Sequence, residues 1–198
     1  MGRLAIFASG SGTNAENIIR YFQNKPQISV SCICTNRSDA YVIERAKRHD
    51  IPVLVFSRDE FYQSEIVLHY LRQNEADWII LAGFLWLVPG YLINRYPGRI
   101  INIHPALLPK YGGKGMYGAF VHRAVIDNKD TVSGISIHVV NNEYDKGSIL
   151  FQATCPVTMD DTPETLATKV HQLEYEHFPR VIERVILERD KGQGTRDK

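Results

Sequence analysis

Two hydrophobic periods alternate along the first half of this chain. Short apolar runs at Leu4–Ala8, Ile28–Thr35, Pro52–Phe56, Trp78–Ala82 and Arg99–His104 have the length and composition of buried strands. Between them lie stretches with helical spacing. Asn14–Gln23 places Ala15, Ile18, Ile19 and Phe22 on one side. Asp39–His49 predicts a second helix, with Ser38 or Asp39 as its cap. Asp59–Glu75 predicts a third, amphipathic one. Strands that alternate with helices of this length imply βαβ units, a parallel sheet and right-handed crossovers.

The pattern then changes. Thr131–Val140 alternates as a strand, and Ile149–Val157 follows after a loop, so an antiparallel pair is expected. Thr162-Pro163-Glu164 opens a helix with proline at its first position. Leu166, Val170, Leu173, Val181 and Val185 continue its apolar stripe to about Glu188, with a kink expected near Pro179. The architecture expected is an α/β, Rossmann-like fold. It has a mostly parallel twisted sheet, helices on both faces and an antiparallel C-terminal edge. Residues 1–190 are expected to form a single domain, and residues 191–198 a polar, disordered tail.

Composition narrows the function classes. A chain of 198 residues suits one domain. The net charge is +1, with no basic run outside the polar tail, so no nucleic-acid footprint is expected. The N-terminus begins directly with a strand rather than a charged and apolar leader, and no apolar run approaches about 18 residues, so no membrane partner is expected. Cys32, Cys34 and Cys155 are an odd count, and Cys32-Ile33-Cys34 is not a C-x-x-C motif. Alternation puts Cys32 and Cys34 on one face of a buried strand, as core packing in a reducing compartment. A cytoplasmic protein is the expectation, monomeric or weakly dimeric.

Two segments carry candidate chemistry. Gly10-Ser11-Gly12-Thr13-Asn14-Ala15 fits G-x-G-x-x-A after the first strand. It lacks the Gly-Lys-Ser/Thr of a P-loop. A dinucleotide site would also want an acid at the end of the second strand to hold a ribose. That strand ends in Thr35-Asn36-Arg37, without one. A phosphate site fits better, because small residues allow close backbone approach and a helix N-terminus offers N–H groups to an anion. A plain strand-to-helix turn is the alternative.

The second segment is Asn102-Ile103-His104-Pro105-Ala106-Leu107-Leu108-Pro109, followed later by Asp145-Lys146-Gly147. Strand period two points Asn102 and His104 to one face, and Pro105 ends the strand there. An amide, an imidazole and a carboxylate are what acyl transfer to an amine needs. The first two can stabilise a tetrahedral oxyanion, His104 best as the cation. The carboxylate can orient the imidazole or take up the amine's proton. Each residue alone is an ordinary turn or strand-end residue, and the ordered combination carries the reading.

The His-Pro-x-Leu-Leu-Pro motif, joined to Gly134-Ile135-Ser136-Ile137-His138 and then Asp145-x-Gly147, resembles the folate-dependent formyltransferases. The likeness runs from about Arg3 to Ile186 with no missing block. It implies attack of a primary amine on the formyl carbon of 10-formyltetrahydrofolate, without a metal. Length and the phosphate-type turn favour the branch whose acceptor is the amine of 5-phosphoribosylglycinamide. Relatives acting on initiator tRNA, hydrolysing the folate or formylating sugar nucleotides usually carry additional segments.

The resemblance also assigns residues. Asn102, His104 and Asp145 would be catalytic. Gly12, Thr13 and Asn14 would hold the substrate phosphate, and Glu174 would face the ribonucleotide. Leu85-Trp86-Leu87-Val88 and Asn141-Asn142-Glu143-Tyr144-Asp145 would line the pterin pocket, with Asn102 and Arg58 also near the folate. His138 would support the acid or be an ordinary core histidine. The other histidines, His49, His69, His122, His171 and His177, are placed on helical faces without a role. Gly112-Gly113-Lys114-Gly115-Met116-Tyr117-Gly118 is longer than the family's usual pattern. It is expected to be a flexible loop bordering the site, with Lys114 as a candidate phosphate ligand.

Overall fold

A computed structural model describes residues 2–193. Five strands, β1 (Gly2–Phe7), β2 (Ile28–Thr35), β3 (Val53–Val55), β4 (Trp78–Leu81) and β5 (Ile100–His104), run parallel. Two more, β6 (Val132–Val139) and β7 (Ile149–Pro156), extend the sheet antiparallel. The strand order is β3-β2-β1-β4-β5-β6-β7. The chain therefore steps one way from β1 and the other way from β4. The crevice at the carboxyl ends of these two strands is the point where such sheets accept ligands.

The helices are α1 (Thr13–Phe22), α2 (Val42–Arg48), α3 (Arg58–Gln63), α4 (Ile66–Gln73), α5 (Gly90–Arg95), α6 (Ala119–Asp127) and α7 (Pro163–Gln193). Strand alternation divides the core in two. Leu4, Ile6, Ile33, Ile80, Ile101, Ile103, Ile135 and Ile137 face α1, α2, α6 and α7. Ala5, Phe7, Cys32, Cys34, Ile79 and Leu81 face α3, α4 and α5. The three cysteines are free and buried, as core packing requires.

Several expected boundaries shift for identifiable reasons. The helix expected over Asp59–Glu75 is two helices. Ser64 between them is extended, and its hydroxyl donates to the Glu60 carbonyl at 2.7 Å while accepting the Ile66 N–H at 3.3 Å. A serine that bonds the backbone in this way competes with the helical ladder. The start of α3 is a capping box between Ser57 and Glu60, a device worth about 1 kcal/mol.

Helix α2 begins at Val42 rather than near Asp39, because Asp39 is engaged by the Arg37 guanidinium and the Val42 N–H donates to the Gly10 carbonyl. His49 is the C-cap of α2 rather than a residue of its face. Helix α5 has no counterpart among the sequence expectations. Helix α7 runs through Pro179 and continues to Gln193, so residues 191–193 of the expected tail are helical. The rest of that tail, 194–198, lies outside the described residues. Among the described residues no helix is long and apolar enough to cross a membrane.

The antiparallel edge leaves little room at two glycines. A Cβ at Gly134 would be driven into the Ala153 carbonyl of β7, and one at Gly147 into the Val139 carbonyl. Gly134→Ala is expected to cost about 1–3 kcal/mol through overpacking. Thermal unfolding should then show a fall of roughly 2–4 °C in Tm for each kcal/mol.

Candidate active site

The antiparallel register of β5 and β6 builds a polar stripe inside the sheet. Asn102 pairs with His138, and His104 with Ser136. Cross-strand partners share a face, so all four side chains lie opposite the Ile101, Ile103, Ile135 and Ile137 layer. Loops cover this stripe. Ser136 Oγ accepts the Leu108 N–H at 2.9 Å and donates to the Ala106 carbonyl at 2.7 Å, and the Gln152 amide donates to it at 2.7 Å. The His-Pro-x-Leu-Leu-Pro segment is thereby pinned to the sheet.

Firm hydrogen bonds hold Asn102, His104 and Asp145 from behind. His104 Nε2 lies 2.8 Å from the carbonyl of Tyr111, a residue at φ 57°. A carbonyl only accepts, so the network assigns a proton to Nε2. Asn102 Nδ2 donates to His138 Nε2 at 3.0 Å, and His138 Nδ1 lies 3.0 Å from the Val139 carbonyl. Asp145 Oδ2 accepts the Gly113 N–H at 2.9 Å.

Looser contacts face inward. Asn102 Nδ2 is 3.4 Å from Asp145 Oδ1, and His104 Nδ1 is 3.6 Å from Asp145 Oδ2. Both exceed ordinary N–H···O length. One amide hydrogen and one ring nitrogen can thus be redirected without breaking the firm set.

The environment sets the charges. Burial pushes the His104 ring below the ordinary imidazole range, and the Asp145 charge and the Tyr111 carbonyl oppose this only in part. Burial pushes the Asp145 carboxyl up. The His138 and His104 rings and the Gly113 N–H outweigh it, and Asp145 titrates below the ordinary carboxylate range. At neutral pH the resting pair is a neutral imidazole beside a carboxylate. His122 on α6 is buried with Nδ1 unpartnered among the described residues, and burial takes its ring down to about 4.

Asn102, His104, His138 and Asp145 border a cavity of about 660 Å³. At one end lies the turn after β1. Gly12 is left-handed (φ 72°, ψ 23°), and a Cβ there would come within 2.8 Å of Val42 Cα, so only glycine fits. Gly12, Thr13 and Asn14 line this end together with His171 and Glu174, and Lys114 also lines the cavity. Asn14 Nδ2 donates to Glu174 Oε2 at 2.7 Å, while Asn14 Oδ1 is buried without a partner among the described residues. Burial raises the Glu174 carboxyl above its usual range.

At the other end lie Leu85, Trp86, Leu87 and Val88, with Val140, Glu143 and Tyr144. Trp86 packs among Phe56, Phe61, Tyr62 and Phe84 at centroid distances of 5.8 to 6.3 Å. Tyr62 donates to the Leu87 carbonyl at 2.9 Å, which fixes the segment.

Most of the residues singled out from the sequence therefore meet in one cavity. Three stand apart from its lining. Arg58 lies over the Tyr62 and Trp86 rings, 5.1 and 5.6 Å from their centroids. Asn141 accepts the Glu143 N–H and donates to the Lys146 carbonyl, so it shapes the loop. Asn142 is oriented toward Gly90 instead.

Sequence reasoning missed the Tyr111 carbonyl, the Gly113 N–H, Ser9 and His171. Ser9 Oγ accepts the Leu85 N–H at 3.1 Å and so ties the two ends of the cavity together. His171 stands three residues before Glu174 on α7, and that helical spacing was the available signal.

Comparison with known proteins agrees with this geometry. Residues 2–182 match the family described as "Formyl transferase". The chain is 41% identical over 196 residues to a chloroplastic phosphoribosylglycinamide formyltransferase of Arabidopsis thaliana, covering 96% of this chain and 67% of that protein. It is 32% identical over 198 residues to the phosphoribosylglycinamide formyltransferase of Bacillus subtilis, covering 98% of this chain and 99% of that one. The crystal structure of phosphoribosylglycinamide formyltransferase from Bacillus halodurans superposes with a TM-score of 0.83 at 37% identity, over 93% of this chain and 95% of that one. This chain belongs to the formyl transferase family, in its branch of phosphoribosylglycinamide formyltransferases.

Proposed function

We propose that residues 1–190 act as one catalytic domain that transfers a formyl group from 10-formyltetrahydrofolate to the amine of 5-phosphoribosylglycinamide. The observation that carries this reading is the convergence of Asn102, His104 and Asp145. They stand in a cavity with an anion-type turn at one end and an aromatic slot at the other. In this reading the phosphate lies against the N–H groups of Gly12, Thr13 and Asn14, and Asn14 Oδ1 and Glu174 accept from the ribonucleotide. The pterin enters between Leu85–Val88 and the loop ending at Asp145. Arg58 orders that slot through the Trp86 and Tyr62 rings rather than from within it.

The amine attacks the formyl carbon and forms a C–N bond, and the carbonyl electron pair moves onto oxygen. The free Asn102 hydrogen and His104 Nδ1, protonated as the cation, turn to that oxyanion. The Asp145 carboxylate sits beside both and favours the imidazolium, whose Nδ1 proton is taken from solvent before attack and stays on the ring through the cycle. Asp145 takes up the proton of the attached ammonium, directly or through water, and that proton passes to N10 of the folate. Collapse of the oxyanion then breaks the carbon–N10 bond and releases tetrahydrofolate and the formylated amide. His138 holds the Asn102 amide in place throughout.

The direct test is tetrahydrofolate release from 10-formyltetrahydrofolate with and without the ribonucleotide. Release only with the ribonucleotide is expected, and equal release in both would make the chain a hydrolase. Asn102→Ala should lower kcat by about 10²–10³, the cost of one oxyanion donor. Unchanged turnover would remove Asn102 from the mechanism. His104 should titrate below the ordinary imidazole value when its ring protons are followed by NMR. In Asp145→Asn it should titrate lower still, because the carboxylate charge that favours the cation is gone. A rise in that variant would contradict the assigned pairing.

A further inference from the structure

A turn that presents N–H groups to an anion must send its own carbonyls elsewhere. Three successive carbonyls of the turn after β1 are tied away. Gly10 O accepts the Val42 N–H at 3.1 Å, Ser11 O accepts Arg45 Nε at 2.8 Å, and Gly12 O accepts the Glu16 N–H at 2.9 Å. The last is the ordinary helical bond of α1. The first two come from α2, on the far side of the turn from the cavity.

Arg45 does more than hold Ser11. Its Nη1 pairs with Glu16, a buried carboxylate in the first turn of α1. Glu16 also binds Arg20 at 2.9 Å, and His49 stands 3.7 Å away. An uncompensated carboxylate there would repel an anion bound at the same helix end. Arg45 is itself mostly buried and lies 5.1 Å from the Tyr41 ring centroid. It is absent from the residues that line the cavity. One guanidinium thus fixes the direction of a turn carbonyl and neutralises an acid in the first turn of α1, without lining the cavity.

We infer that Arg45 is a positioning residue for the phosphate end of the site, bridging Ser11 O and Glu16 so that the turn's N–H groups face the cavity. This inference rests on the proposed role of the turn. The fork geometry is essential to it. A lysine supplies one point charge and cannot make both contacts with the same fixed orientation.

The experiment is steady-state kinetics of the full chain carrying Arg45→Lys, with Arg45→Gln as a second variant and inorganic phosphate as a competitive probe. Both variants should raise the KM for the ribonucleotide and the inhibition constant of phosphate by about tenfold, the scale of one oriented hydrogen bond to a charged group. kcat and the KM for the folate should stay within about twofold. Glu16→Gln keeps the Ser11 bond and removes a repelling charge, so it should leave the ribonucleotide KM unchanged or lower.

A merely structural role would lower Tm with both KM values unchanged or raised together, and that result overturns the inference. A wild-type chain that transfers formyl but ignores inorganic phosphate would instead overturn the reading of the turn, and the inference with it. Wild-type competition by phosphate that is undiminished in both Arg45 variants would overturn the inference alone.

Discussion

The register in which β5 meets β6 governs the site. Asn102 and His104 alternate with Ile101 and Ile103, and His138 and Ser136 alternate with Ile137 and Ile135. A slip of one residue would turn both polar pairs into the apolar layer beneath α7 and bring isoleucines to the cavity. Burial of those isoleucines makes the slip costly, since each fully buried side chain contributes about 1.5–3 kcal/mol. The close approach of Gly134 to the Ala153 carbonyl restricts the neighbouring pair as well. The same alternation that makes the core therefore aims Asn102, His104 and His138 at the cavity.

Buried polar groups need partners, and here the partners divide by direction. Backbone atoms of Tyr111, Gly113 and Val139 hold His104, Asp145 and His138 at 2.8 to 3.0 Å from the scaffold side. Toward the cavity the contacts are longer. Such a cluster is oriented without a ligand and leaves donors free toward the cavity. The loop beyond Pro109 borders the cavity, as expected, and is also part of this support, since it supplies two of those backbone atoms.

Much of this was legible in the sequence, for physical reasons. Parallel strands buried on both faces are continuous apolar runs, so β1 to β5 stood out. The motif residues on β5 and after β6 carried their chemistry in their identity. Backbone contributions did not, because a carbonyl such as that of Tyr111 or an N–H such as that of Gly113 has no signature in the residue that bears it. Tertiary contacts also moved elements. Helix α2 starts where Val42 can reach Gly10, and Ser64 breaks a run whose apolar spacing is continuous. Helix α5 opens with glycine and spans under two turns, too short for periodicity to register. Asn141 belonged to a segment matched as a whole, yet its bonds form the turn rather than line the cavity.

The bond from Asn14 to Glu174 joins residues separated by 160 positions. Contacts of such separation form late, because the loop they close is nearly the whole chain. During synthesis all seven strands precede α7, and the glycine turn precedes it by well over a hundred residues. The glycine-turn end of the cavity lacks the His171 and Glu174 wall until α7 docks. A growing chain therefore carries this end of the cavity open, and its closure reports that the last long helix has found its place.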